Sequence, residues 1–150
     1  MDGLKLNKIP LPYKPRSAFM PLHNGNKRWS VVVAHRRAGK TVACINHLIR
    51  EALRTTRHDF RAAYIAPFYK QAKSVAWDYF KYYSKPIKDI TVNESEMRID
   101  FANGSRIQLF GADNADALRG LFFDYIVADE YGDWKPSVWQ YVIRPALADR

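Results

Sequence analysis

The sequence predicts an α/β fold, a mainly parallel sheet flanked by helices with an antiparallel hairpin inserted. Three observations point there. Short apolar runs without alternation, as in strands buried on both faces, take turns with stretches whose apolar residues recur at helical spacing. An Asn103-Gly104 pair sits between two strand-like runs, the mark of a tight hairpin. A Gly39-Lys40-Thr41 triplet stands where one run gives way to a helix.

Taken in order, residues 1–28 interleave Pro10, Pro12, Pro15 and Pro21 with Lys5, Lys8, Lys14 and Arg16, which predicts an extended lead-in with a short turn near Ser17–Leu22. Trp29–Ala34 reads as a buried strand. From Lys40 to Leu53, the spacing of Val42, Ile45, Leu48, Ile49 and Leu53 predicts a helix. Ala62–Ala66 is a second buried run, stopped by Pro67, and residues 69–83 are again helical in pattern up to Pro86. Ile90–Val92, Met97–Phe101 and Arg106–Phe110 predict three short strands. Asp113–Leu118 reads as a short helix or turn, and Tyr125–Ala128 as a buried strand ending in Asp129-Glu130. Ser137 is placed to cap a final helix that Pro145 should break.

The chain has 150 residues, the size of one domain, divided by this reading into the lead-in (1–28) and a partial nucleotide-binding domain (29–150). Hydrophobic residues make up 47%, enough for a core. The single Cys44 excludes a disulfide framework and a multi-cysteine zinc module. No apolar run reaches the length of a membrane span, and the N-terminus has no apolar signal core, so a soluble intracellular protein is expected. The charge of 24 − 15 = +9, scattered along the chain, suits contact with nucleic acid phosphates, with a solubility surplus as the plain alternative.

Ala34-His35-Arg36-Arg37-Ala38-Gly39-Lys40-Thr41 fits the phosphate-loop pattern G-x-x-x-x-G-K-[ST] except that Ala34 stands in the first glycine's place. A loop opening a helix aims free N–H groups and the positive helix dipole at one spot. Gly39 lets backbone approach a phosphate, Lys40 would reach its terminal oxygens, and the Thr41 hydroxyl would hold Mg²⁺. Arg36, Arg37 and Ala38 complete the candidate nucleotide-binding set. The alternative is a basic strand-to-helix turn.

Asp129-Glu130 at a strand end supplies the complementary half of an ATPase site. Asp129 would hold the Mg²⁺ shell, and Glu130 would orient and deprotonate the attacking water. Arg119, before Gly120, is a candidate for transition-state charge, with a surface arginine as the alternative. The histidines (His23, His35, His47, His58) lack metal-ligand spacing, and Cys44 reads as core. The aromatics Trp77, Tyr79, Phe80, Tyr82 and Tyr83 read as packing rather than base stacking, and Asp113 and Asp116 as loop carboxylates. The combined pattern is that of a P-loop NTPase with ATP and Mg²⁺ as its ligands.

The strings VVVAHRRAGKT, YIAPFYKQAKSVAWDYF, ALRG and VADE, in that order, resemble the ATPase domain of the large terminase subunit of tailed bacteriophages over residues 13–148. The resemblance implies a motor that hydrolyses ATP to move double-stranded DNA into a capsid. It implies arginines at Arg36 and Arg37, makes Ala34 an accepted departure, pairs Asp129 with Glu130, and makes Arg119 a finger acting on a neighbouring subunit. It makes Tyr13–Phe19 candidates for adenine contact, although the family's glutamine there is not evident. Implied partners are the small terminase subunit, the portal protein of the procapsid and other copies in a ring. The implied location is the host cytoplasm, transiently at the portal. The rest of the ATPase domain and a nuclease domain would follow Arg150. A strand from that missing part would then lie between the acidic strand and the phosphate-loop strand, so residues 1–150 alone are expected to be marginally stable and to hydrolyse ATP poorly. A helicase-type ATPase and a non-catalytic nucleic-acid-binding remnant are the other readings.

Overall fold

The computed structural model describes residues 11–148. The part of the predicted lead-in that carries Lys5, Lys8 and Pro10 lies outside the described residues.

The chain opens with a short turn, Ser17–Phe19, that runs into α1 (Met20–Asn24). Gly39, at φ 94°, then sets the entry to α2 (Lys40–Arg54). Ile45, Leu48, Ile49 and Ala52 fall on one side of α2 and are wholly buried, as their three- and four-residue spacing requires. Next comes β1 (Arg61–Ala66), buried along nearly its whole length. Its first residue is pinned by Asp124, whose carboxylate accepts the Arg61 backbone N–H (2.8 Å) and pairs with Arg57 (2.5 Å).

A helical stretch follows as α3 (Tyr69–Gln71), a π-helical segment (Ala72–Trp77) and α4 (Asp78–Ser84). Asp113 accepts the Tyr69 backbone N–H (3.0 Å) at its start, so this carboxylate serves a helix end. The antiparallel part comprises β2 (Thr91–Asn93), β3 (Arg98–Asp100) and β4 (Arg106–Gly111). The expected Asn103-Gly104 turn joins the last two. At φ 86°, a Cβ on Gly104 would stand 2.1 Å from the His58 carbonyl oxygen. After a 3-10 segment (Ala112–Leu118), β5 (Tyr125–Ala128) leads to a turn at Tyr131–Asp133. The chain then closes with α5 (Pro136–Val138), a π-helical segment (Trp139–Ile143) and α6 (Arg144–Ala148).

The strand order is β2-β3-β4-β1-β5. β1 pairs in parallel with β4 and β5, placing Tyr64 opposite Leu109 and Val127, while β2–β3 and β3–β4 are antiparallel. Among the described residues the sheet is therefore mixed, half of its pairings parallel. The two faces of β1 divide the core. Ala62, Tyr64 and Ala66 pack with α2, the α3–α4 stretch and the hairpin. Ala63 and Ile65 pack with Phe110, Leu118, Trp134 and the C-terminal helical segments. This is a sheet covered on both faces.

Two expectations need correction. Trp29–Ala34 is not a buried strand: it joins no ladder, and Val31 and Val33 are each 90% exposed. β-branched composition favours extension, but a strand also needs a neighbour to pair with, and among the described residues none lies beside it. At the other end, Ser137 is not the cap. Lys135 occupies that position with Pro136 first in the helix, and the helix runs on through Pro145. The missing N–H of Pro145 falls at the change of register from the π segment to α6, where a carbonyl loses its ordinary partner anyway.

Candidate active site

The loop His35–Gly39 turns back on itself before α2. Ala38 N–H donates to the His35 carbonyl (3.3 Å), and Arg37 and Gly39 both adopt positive φ, 63° and 94°. The left-handed conformation costs Arg37 on the order of 1 kcal/mol, while Gly39 accommodates it freely. The first turn of α2 has no side-chain cap, so no side chain occupies its leading N–H groups. Lys40 Nζ donates to the Ala34 carbonyl (2.6 Å) and the His35 carbonyl (3.4 Å), which puts the ammonium over the loop. Arg36 and Arg37 are exposed.

A guanidinium that the sequence reading gave no place in the phosphate loop joins them. Arg16 Nη1 donates to the Ala38 carbonyl (2.8 Å), and its Cζ stands 3.8 Å from where a Gly39 Cβ would be. Within the adenine candidates Tyr13–Phe19, Phe19 is buried, and Tyr13 bonds through its hydroxyl to His23 Nε2 (2.8 Å).

Asp129 and Glu130 follow β5. The Asp129 backbone N–H donates to the Ile65 carbonyl (2.9 Å), extending the β1–β5 ladder by one bond. Its carbonyl accepts the Trp134 indole N–H (3.0 Å). One carboxylate oxygen accepts the Glu130 backbone N–H (3.1 Å), and the other accepts the Tyr64 hydroxyl (2.5 Å). Glu130 is exposed and holds φ 46°, a left-handed conformation that turns the chain sharply at the strand end.

These two groups converge at the ends of β1 and β5. The Tyr64 hydroxyl donates to Asp129, and Thr41 lies near enough to act on the same phenol. Burial foremost, then the Asp129 charge and hydrogen bond, push the Tyr64 phenol far above its ordinary range, while Thr41 acts in the opposite direction. Cys44, one turn further along α2, also feels both halves. Burial, then the Asp129 carboxylate, raise its thiol to about 11, against the pull of Lys40. Cys44 is only half-buried, so it borders this junction instead of filling the core. Lys40, Thr41, Cys44, Tyr64 and Asp129 thus lie within one another's electrostatic reach, with Glu130 following Asp129.

Arg119 is not among these residues. Its Nε donates to Asp116 (2.9 Å), and it lines an open groove of about 450 Å³ with Leu121, Phe122, Tyr141 and Pro145. The histidines divide. His35 and His58 are exposed, while His23 and His47 are buried in a chain running from Tyr13 to Tyr125. Among the described residues no group of three or more His, Cys, Asp or Glu side chains gathers, and no helix is long and apolar enough to cross a membrane. Of the ring candidates, Trp77 and Phe80 are core, whereas Tyr79 and Tyr82 are largely exposed.

A family model described as "Terminase large subunit, T4likevirus-type, N-terminal" matches residues 32–148. The large terminase ATPase domain of Thermus phage P74-26 has a similar structure, with a TM-score of 0.80 at 23% identity over 93% of this chain. This chain spans 62% of that domain's length. An arginine-to-alanine mutant of the same domain aligns with a TM-score of 0.77, also at 23% identity. No curated protein matches.

Proposed function

The chain belongs to the terminase large-subunit family, in its T4likevirus-type N-terminal part, and from that premise we propose that it binds and hydrolyses ATP to drive double-stranded DNA into a capsid. The observation that carries the site reading is the Tyr64–Asp129 hydrogen bond with Thr41 beside the same phenol, which sets the start of α2 next to the acidic end of β5. A protein that bound nucleic acid by charge alone would have no use for that link.

In this reading the domain is of the P-loop NTPase type. The uncapped N–H groups at the start of α2, with Gly39 and Ala38, hold the phosphates of ATP. Lys40 exchanges its two carbonyl partners for terminal phosphate oxygens, and Arg36 and Arg37 add positive charge at the loop's open side. The Thr41 hydroxyl and the Asp129 carboxylate are hard oxygen donors, which suits Mg²⁺; such sites need only one or two carboxylates beside phosphate oxygens. Magnesium, when bound, neutralises charge on the β- and γ-oxygens. Glu130, exposed at the strand end, orients water and takes its proton on a carboxylate oxygen. Arg119, paired on its own subunit with Asp116, suits a finger offered to a neighbouring copy in a ring. The basic surface tracks DNA phosphates. The small terminase subunit and the procapsid portal are the expected partners, in the host cytoplasm. Nuclease activity belongs to a separate part of the whole protein, and residues 1–28 and 29–150 act as lead-in and catalytic portion.

The test is Glu130→Gln in the full-length protein. Nucleotide should bind with wild-type affinity, and hydrolysis should fall about 10²-fold or more. Sustained turnover would refute the role given to Glu130.

A further inference from the structure

Resting on that reading of the site, we propose that Tyr64 is a positioning residue for the magnesium-binding carboxylate: it holds Asp129 in the orientation in which Asp129 and Thr41 share one metal ion. Tyr64 lies in the middle of β1, 1% exposed, on the face that packs against α2 and α4. Its ring meets Phe80 edge-on at 5.9 Å. Packing alone would be served by phenylalanine, and a buried hydroxyl costs stability unless it is bonded. Here the hydroxyl is bonded to the one carboxylate that the site reading assigns to the metal.

The geometry at Asp129 makes the bond directional. Tyr64 donates to Oδ2 and the Glu130 backbone N–H to Oδ1, so two donors fix the plane of the carboxylate. Each oxygen keeps further acceptor capacity, available to a metal ion or to its water. Thr41 acts on the same phenol, so Tyr64 stands beside both candidate ligands. Magnesium tolerates little departure from octahedral geometry, which makes such preorganisation matter. Loss of a hydrogen-bonding partner behind a metal ligand typically weakens metal binding by about 10–100-fold.

The experiment titrates Mg²⁺ into the full-length protein with a fluorescent ATP analogue and compares each titration with binding in EDTA. Tyr64→Phe should leave the EDTA affinity within about twofold of wild type. It should raise the Mg²⁺ concentration at half-response by about tenfold or more. In an Asp129→Asn background, Tyr64→Phe should move nothing further. Urea unfolding of each variant under the titration conditions establishes that it is folded, so that a loss of stability cannot mimic the effect. An unmoved midpoint in Tyr64→Phe, or an added shift on top of Asp129→Asn, overturns the proposal. A wild-type protein that binds nucleotide with no response to Mg²⁺ overturns the site reading as well.

Discussion

Acid should unfold this chain through His47. The imidazole is 4% exposed, with Nε2 bonded to the Tyr125 hydroxyl (2.8 Å) and Nδ1 3.3 Å from His23 Nδ1. Burial first, then the nearby Arg50 and Arg54 charges, push its pKa down from 6.5 to about 4. Above pH 6.5 His47 is neutral folded or unfolded and contributes no pH dependence. Between pH 6.5 and about 4 the unfolded chain takes up a proton that the folded chain refuses, so stability falls as the pH falls. The gap of about 2.5 pH units, at 1.36 kcal/mol each, amounts to about 3 kcal/mol lost by pH 4. His23, lowered by burial and then by His47 and Arg50, adds to the loss in the same direction. Urea unfolding at intervals from pH 7.5 to 4 measures it. His47→Gln keeps a donor and an acceptor but cannot ionise, and its curve should lose about 3 kcal/mol less over that range. Equal losses in wild type and His47→Gln would refute the reasoning.

Gly104→Ala should cost about 2 kcal/mol or more in urea unfolding, because the new Cβ meets the His58 carbonyl oxygen and the residue must still hold φ 86°. An unchanged midpoint would mean that the hairpin turn is not built as described. For Arg119, mixing Arg119→Ala with Glu130→Gln subunits, each inactive alone, should restore part of the ATPase rate if the arginine acts on a neighbouring copy. No recovery would leave Arg119 as the surface partner of Asp116.

The elements whose local signals agree with their tertiary surroundings were legible. α2 begins at the residue that Gly39-Lys40 indicates, the Asn103-Gly104 hairpin forms, and β5 has the expected bounds. Trp29–Ala34 shows the limit of such signals. Its composition reads as a strand, yet pairing depends on a neighbour that local sequence does not specify, and Val31 and Val33 stand exposed. The antiparallel hairpin was legible, but the strand order was not, since apolar runs do not encode which strands they pair with. Pro145 was misread because a helix can absorb a proline at a π-to-α junction. At the proposed site, the loop and the acidic pair stand out in the sequence because phosphate and metal chemistry would fix residue type and spacing. Tyr64 and Arg16 do not. One looks like any apolar strand residue and the other like any basic residue in a proline-rich lead-in, and only the fold brings them to Asp129 and Ala38.

A crystal structure of the protein with Mg²⁺ and a non-hydrolysable ATP analogue is the most direct measurement. The β- and γ-phosphates should lie against the backbone amides from Gly39 to Thr41, with the metal between the Thr41 hydroxyl and the Asp129 carboxylate. Nucleotide bound elsewhere, or a metal with neither residue in its coordination shell or hydrogen-bonded to its waters, would contradict the account.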